Sequence, residues 1–176
     1  NDLAFAAENA GNIIFAQSFK PKTKAQAADS VKKRTEVMDQ RLSLMKEKNY
    51  FRKVPENEIE KYSTIFSAYN IEAPLDVLIE KSAGVYFFQS EPDPDGLQRR
   101  FPLLVLYGDR LFPAASLAMA LRHYKVSFDS VEIEPGKYLR FDINPELDDF
   151  GRSEIHIPIN EKGQMVVNWA GPWKDK

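Results

Sequence analysis

Apolar residues recur along this chain with two different periods, and the change from one to the other divides it. Over residues 2 to 10, Leu3, Ala6, Ala7 and Ala10 fall at helical spacing, and Gly11 supplies a stop. "NIIFAQSF" follows as a mostly apolar strand. From about Thr23 to Lys48, the positions Ala28, Val31, Thr35, Met38, Leu42 and Met45 alternate by threes and fours. They predict one long charged helix near the N-terminus. Its narrow stripe suits the domain's own core, a dimer mate or a short coiled-coil seam.

"PENEIEKY" restarts the chain with a capping pair, Asn57 and Glu60, and puts Ile59, Tyr62, Phe66 and Tyr69 on one helix face. A further helix, "PLDVLIEKSAG", is opened by Pro74 and closed by Gly84, and the aromatic run "VYFFQS" is a strand. Asp95-Gly96 between that run and "RRFPLLVLYG" is a hairpin signal, and Gly108-Asp109 marks a second turn. Pro113 opens the helix "PAASLAMALRHY", with Leu117, Leu121 and Tyr124 together. Beyond it the period becomes two in "SVEIE", "YLRFDI", "EIHIPI" and "QMVVNWA", with turns at Pro135-Gly136 and Lys162-Gly163. The expected fold is one α/β domain with a mixed sheet, flanking helices and antiparallel strands toward the C-terminus.

Composition narrows the function. The 176 residues suit one domain, and a net charge of -2 gives no global field for nucleic acid or an anionic membrane. Residues 20 to 62 hold 12 of the 24 Lys and Arg, but seven acids interrupt them, so that stretch reads as a solvated face. There is no cysteine, which excludes disulfides and thiolate chemistry. No segment reaches the roughly 18 apolar residues of a membrane span. "NDLAFAAENAG" reads as the middle of a domain rather than as a signal peptide, so a fragment of a longer protein is expected.

Candidate chemistry centres on "SEPDPDG". Glu91, Asp93 and Asp95 alternate before Gly96, as at the start of a calcium loop. Counting from Glu91, the ninth position is Arg99 and the twelfth is Pro102, so the closing carboxylate is missing and a guanidinium stands in its path. A turn is the better reading, with no metal. His123 and His156 lie 33 residues apart without ligand-like neighbours and read as structural. Ser116 lacks the glycine-bounded elbow of a hydrolase nucleophile and sits where a first-turn hydroxyl satisfies free N–H groups. No phosphate-binding glycine loop occurs, and Asp148-Asp149 reads as a solvated pair.

Three stretches together resemble the CHASE2 sensor domain of bacterial signalling receptors. They are "NDLAFAAENAGNIIFAQSF", "GVYFFQSEPDPDGLQRRFPLLVLYGDRLFPAASLAMALRHY" and "IHIPINEKGQMVVNWAGP". The middle one carries the pattern's aspartate-rich turn, paired arginines, apolar strand and proline-led "SLA" helix. Residues 20 to 60 fall outside the resemblance and read as an insertion. The family's first segment is missing, and Asn160 stands where the family often has aspartate. The resemblance implies a non-catalytic, extracytoplasmic (periplasmic) signal-input domain without cofactor, anchored to the inner membrane through its parent protein. The output would be a cyclase or a histidine kinase. It implies an unknown small-molecule or ionic ligand, for which Arg99, Arg100, Asp95 and Ser116 are the candidate binding residues. In a strand Arg99 and Arg100 point to opposite faces, so at most one meets a ligand and the other faces solvent or pairs with an acid; a clamp on the Asp93-Asp95 turn by one of them is the structural alternative. Trp169 and Trp173 suit either an interfacial belt or plain packing. Two other readings stay open: a small hydrolase or transferase with a non-standard site, and a dimerisation module built on the charged helix.

Overall fold

The structure is a computed structural model that describes residues 2–21, 36–48, 50–90 and 92–168. Helix α1 (Asp2–Ala10) ends at Gly11, whose φ of +69° is the left-handed conformation that glycine adopts without strain. Strand β1 (Ile14–Pro21) follows as expected. Helix α2 (Glu36–Glu47) occupies the described end of the segment expected as one long charged helix; Ala28, Val31 and Thr35 lie outside the described residues. Leu42 and Met45, the described end of the apolar stripe, are buried in the domain's own core. Two-residue strand β2 (Arg52–Lys53) precedes a 3-10 helix at Glu56–Tyr62. Then come β3 (Ser67–Glu72), α3 (Asp76–Lys81), β4 (Gly84–Phe87), β5 (Arg100–Pro102), β6 (Leu104–Tyr107), β7 (Arg110–Pro113) and α4 (Ala115–His123). The chain closes with β8 (Glu132–Glu134), β9 (Tyr138–Asp142), β10 (Glu154–Pro158) and β11 (Gln164–Val166).

The principal sheet is mixed, in the order β2-β7-β6-β3-β1-β4. β1 runs parallel to β4 and antiparallel to β3, while β3 runs parallel to β6. The sheet curls. Phe87 at the end of β4 makes a parallel bridge to Ala114, just past β7, four strands away in the order. The curl encloses Phe19, whose ring lies 5.8 Å from Phe87, 5.1 Å from Phe112 and 6.4 Å from Tyr107. The period-two segments form an antiparallel meander, β8-β9-β10, and a ribbon, β11-β5. Leu117 and Leu121 of α4 pack with Ile133, Leu139 and Phe141 of the meander in a second core cluster.

Four expectations change. Ala4 and Ala7 of α1 are buried while Leu3 and Phe5 are exposed, so the helix presents a different face from the one its pattern suggested. Residues 67–72 are a strand, not a helix, because pairing with β1 and β6 outweighs the helical spacing of Phe66 and Tyr69. The Asn57–Glu60 capping box does not form: Pro55 holds the cap position and no side chain caps it. Finally, "RRFPLLVLYG" is two strands. β5 pairs with β11, β6 belongs to the principal sheet, and Leu103 lies between them. Leu103 donates its N–H to Gly163 O at 2.9 Å and accepts from Ala114 N at 2.8 Å.

Candidate functional site

Asp95-Gly96 makes a turn, but not a hairpin, because β4 and β5 pair with other strands. Gly96 N donates to Asp93 O at 2.8 Å, Asp93 N donates to Leu97 O at 2.9 Å, and Gly96 has φ +80°. Both arginines close on the turn. Arg99 grips Asp95 with Nη1–Oδ1 at 2.9 Å and Nη2–Oδ2 at 2.7 Å, and reaches Asp93 at 3.3 Å. Arg100 Nη1 meets the other Asp93 oxygen at 2.9 Å. The strand rule that separated the two side chains does not apply, since β5 begins only at Arg100. The Arg99 guanidinium, followed by the Leu97 N–H, brings the Asp95 carboxyl from its usual 3.8 down to about 2. The same bonds raise the pKa of Arg99. Two carboxylates thus meet two guanidiniums, and these four groups together carry no net charge. Glu91 lies outside the described residues. Among the described residues, no group of three or more His, Asp or Glu side chains is arranged to hold a metal.

Two hollows flank the turn. A polar cleft of about 700 Å³ has Asp93, Arg100, Asn160, Lys162 and Gln164 in its walls. A smaller, apolar cavity of about 210 Å³ is lined by Phe19, Phe66, Phe87, Pro102 and Val105, with Gln89, Ser90 and Gln164 as its polar groups. Gln164 belongs to both. It is held by Asn160, whose Oδ1 accepts from Gln164 N and whose Nδ2 donates to Gln164 Oε1, each at 3.0 Å. Asn160 Oδ1 also accepts from Lys162 N at 3.0 Å, which shapes the turn into β11. Asparagine therefore does here a job that an acceptor-only aspartate side chain would do only in part. Gln89 extends β4 by side chain: its Nε2 donates to Phe19 O at 3.1 Å and its Oε1 accepts from Phe19 N. Beyond β11, Val167 N donates to Arg99 O at 2.8 Å. Turn, hollows and C-terminal strand are one hydrogen-bonded unit.

Of the expected binding residues, Asp95, Arg99 and Arg100 come together. Ser116 does not join them; it is exposed on α4, lines neither hollow, and leaves the cap position to Ala114, which has no side-chain cap. His123 and His156 are exposed; the His123 ring meets Tyr124 edge-on and the His156 ring lies tilted against Tyr138, each at 4.8 Å between centroids. Trp169 and Trp173 lie outside the described residues. The solvated reading of Asp148 is overturned. Its side chain is 2% exposed and accepts from Tyr124 Oη, Phe150 N, Arg152 N and the Arg152 guanidinium. The Arg152 bonds first, with the backbone and phenol donors behind them, hold its carboxyl far below the usual range. Gly151 and Arg152, three and four residues on, were the legible signal of that turn.

A family model, described as CHASE2 domain, matches residues 2–176. The chain belongs to the CHASE2 family. CHASE2 domains are extracytoplasmic sensor modules of membrane signalling proteins, a sensory rather than an enzymatic family. No curated protein and no solved structure matches the chain. No helix among the described residues of this CHASE2 domain is long and apolar enough to cross a membrane.

Proposed function

We propose that this CHASE2 domain is the periplasmic signal-input part of an inner-membrane protein whose cytoplasmic output is a nucleotide cyclase or a sensor kinase. A small molecule or ion is received at the hollows beside the aspartyl turn. The observation that supports this reading is Gln164, which stands in the walls of both hollows and at the start of the last described strand. A ligand gripping Gln164 pulls on β11 directly, and through β11 on Arg99 and the turn. Such a ligand transmits a signal only by favouring one position of β11 over another. Asp95, Arg99 and Arg100 serve as the frame of the site: their charges already satisfy one another, so they hold its shape rather than attract an anion.

Topology tests the reading. The chain has no cysteine, and Phe150 is 82% exposed. Phe150→Cys in the full-length protein is expected to react with a membrane-impermeant maleimide in cells with a permeabilised outer membrane and an intact inner one, above the level of the unsubstituted protein. Reaction only after the inner membrane is broken would place the domain in the cytoplasm and end the proposal.

A further inference from the structure

One buried polar group has no use in the unit described above. Gln17 sits in the middle of β1, between Phe15 and Phe19 on the same face of the strand. It is 3% exposed, and neither its side-chain oxygen nor its nitrogen has a hydrogen-bond partner. A sealed carboxamide without partners opposes folding, and such groups are rare enough in folded proteins to need a reason. Leucine at this position would fill the space without that cost.

The surroundings supply the reason. Gln17 belongs to the wall of a cleft of about 610 Å³, distinct from the hollows beside the turn, whose apolar lining includes Phe15, Ala73, Pro74 and Phe88. Beside this cleft the edge of β1 is open. β4 covers one edge of residues 14–17, but β3 joins the opposite edge only from Ser18 onward, and no described strand continues along it. The charges nearby cancel: Lys20 and Glu72 pair at 2.5 Å, and Ser18 Oγ also donates to Glu72, at 2.8 Å. The cleft therefore combines an apolar wall and a strand edge without net charge, and behind that wall lies the unpartnered amide of Gln17, which can both donate and accept. The carboxamide atoms themselves are sealed from this cleft, so a ligand reaches them only by displacing a side chain of the wall.

We propose that this cleft binds a small uncharged amide, a lactam or a primary carboxamide on an apolar body, whose N–H and C=O pair with the Oε1 and Nε2 of Gln17. A carboxylate fits badly, since it brings charge and no donor to Oε1. A ketone fits badly because it too leaves Oε1 unpaired. The inference rests on the orphaned amide and the open strand edge, not on the signal-input reading, and its test measures occupancy without any downstream output.

Benzamide is the probe, with benzoate and acetophenone as shape-matched controls, followed by ¹H–¹⁵N correlation spectra of the folded domain. Benzamide is expected to shift the Gln17 side-chain NH₂ pair and the backbone amides of residues 15–18 and 88 saturably, with a Kd of about 1 mM, ordinary for so small a ligand. Benzoate and acetophenone are expected to bind at least about tenfold more weakly, as for a site that loses a specific hydrogen-bond pair. Gln17→Leu is expected to abolish the saturable shifts while raising the melting temperature. Gln17→Met, close in size but with neither amide donor nor amide acceptor, repeats the loss of binding in a second background. Absence of saturation in the wild-type domain up to the solubility limit of benzamide, saturable shifts centred elsewhere, equal binding of the three probes, or binding that survives both substitutions would overturn the proposal.

Discussion

Arg99 holds Asp95 through both carboxylate oxygens, at 2.9 and 2.7 Å, four residues apart across a glycine turn. This fork-on-fork contact closes the aspartyl turn before β5 begins, and it has a pH signature. The Asp95 pKa falls to about 2 in the folded chain from a usual 3.8. A lowered folded pKa adds stability above the unfolded value and loses it as the pH falls through the folded one. Asp95→Asn is therefore expected to be less stable than the wild type by a constant amount from pH 5 to 7. The difference should shrink below about pH 4 and vanish only below about pH 2, under both pKa values. Urea midpoints across that range measure it, and a ¹³C carboxyl titration of Asp95 with a midpoint near 3.8 would contradict it.

Asp148 organises the loop between β9 and β10 in the same chemical language. Its two oxygens gather the N–H groups of Phe150 and Arg152 along with Tyr124 and the Arg152 side chain. Asp148→Ala should speed amide exchange at Phe150 and Arg152 on the order of tenfold or more. Exchange in β8 and β9 should change far less. Unchanged rates at both loop amides would mean that the backbone turn holds without the carboxylate.

Phe19 is the pivot of the curled sheet. It touches three other aromatic rings and walls the apolar cavity. Phe19→Ala should cost about 3–5 kcal/mol in chemical denaturation, the range for an emptied aromatic core site. A loss below about 1 kcal/mol would show that the sheet closes over the gap.

Leu42 and Met45 separate the two uses of the apolar stripe on α2. Both pack inside their own chain, against a core that includes Tyr50, Ile79 and Tyr86. Leu42→Ala should cost about 2–5 kcal/mol. Its unfolding midpoint should not depend on protein concentration, as it would if the residue held a dimer together. A concentration-dependent midpoint, measured over two decades of protein, would revive the seam.

How much of this was legible depended on which residues supply the hydrogen bonds. β8, β9 and β10 were plain in the sequence, because each alternates and each pairs with a neighbour close in the chain. α4 was plain for the corresponding helical reason. β3 was not: Ile59, Tyr62, Phe66 and Tyr69 keep helical spacing, and the strand exists through partners some fifty residues before it and forty after it. The break at Leu103 was hidden because nothing in "FPLLVL" says that one residue's N–H and C=O serve two different neighbours. At the candidate site, the turn and its arginines could be read from spacing. Gln89 could not, since its amide meets the Phe19 backbone seventy residues away; nor could Asn160 and Gln164, whose contact is local but whose place in the walls of the hollows is set by the tertiary fold.

Leu103 also constrains how the molecule can move. Its N–H is tied to the loop that leads into β11 and its C=O to Ala114, the residue that caps α4, so a single amino acid rivets the ribbon to the curled sheet. A tug on the tail of the chain cannot be absorbed by sliding one layer over the other. It must either be relayed into the helix as torque or shear that rivet first, which makes the ribbon a lever with a fixed fulcrum.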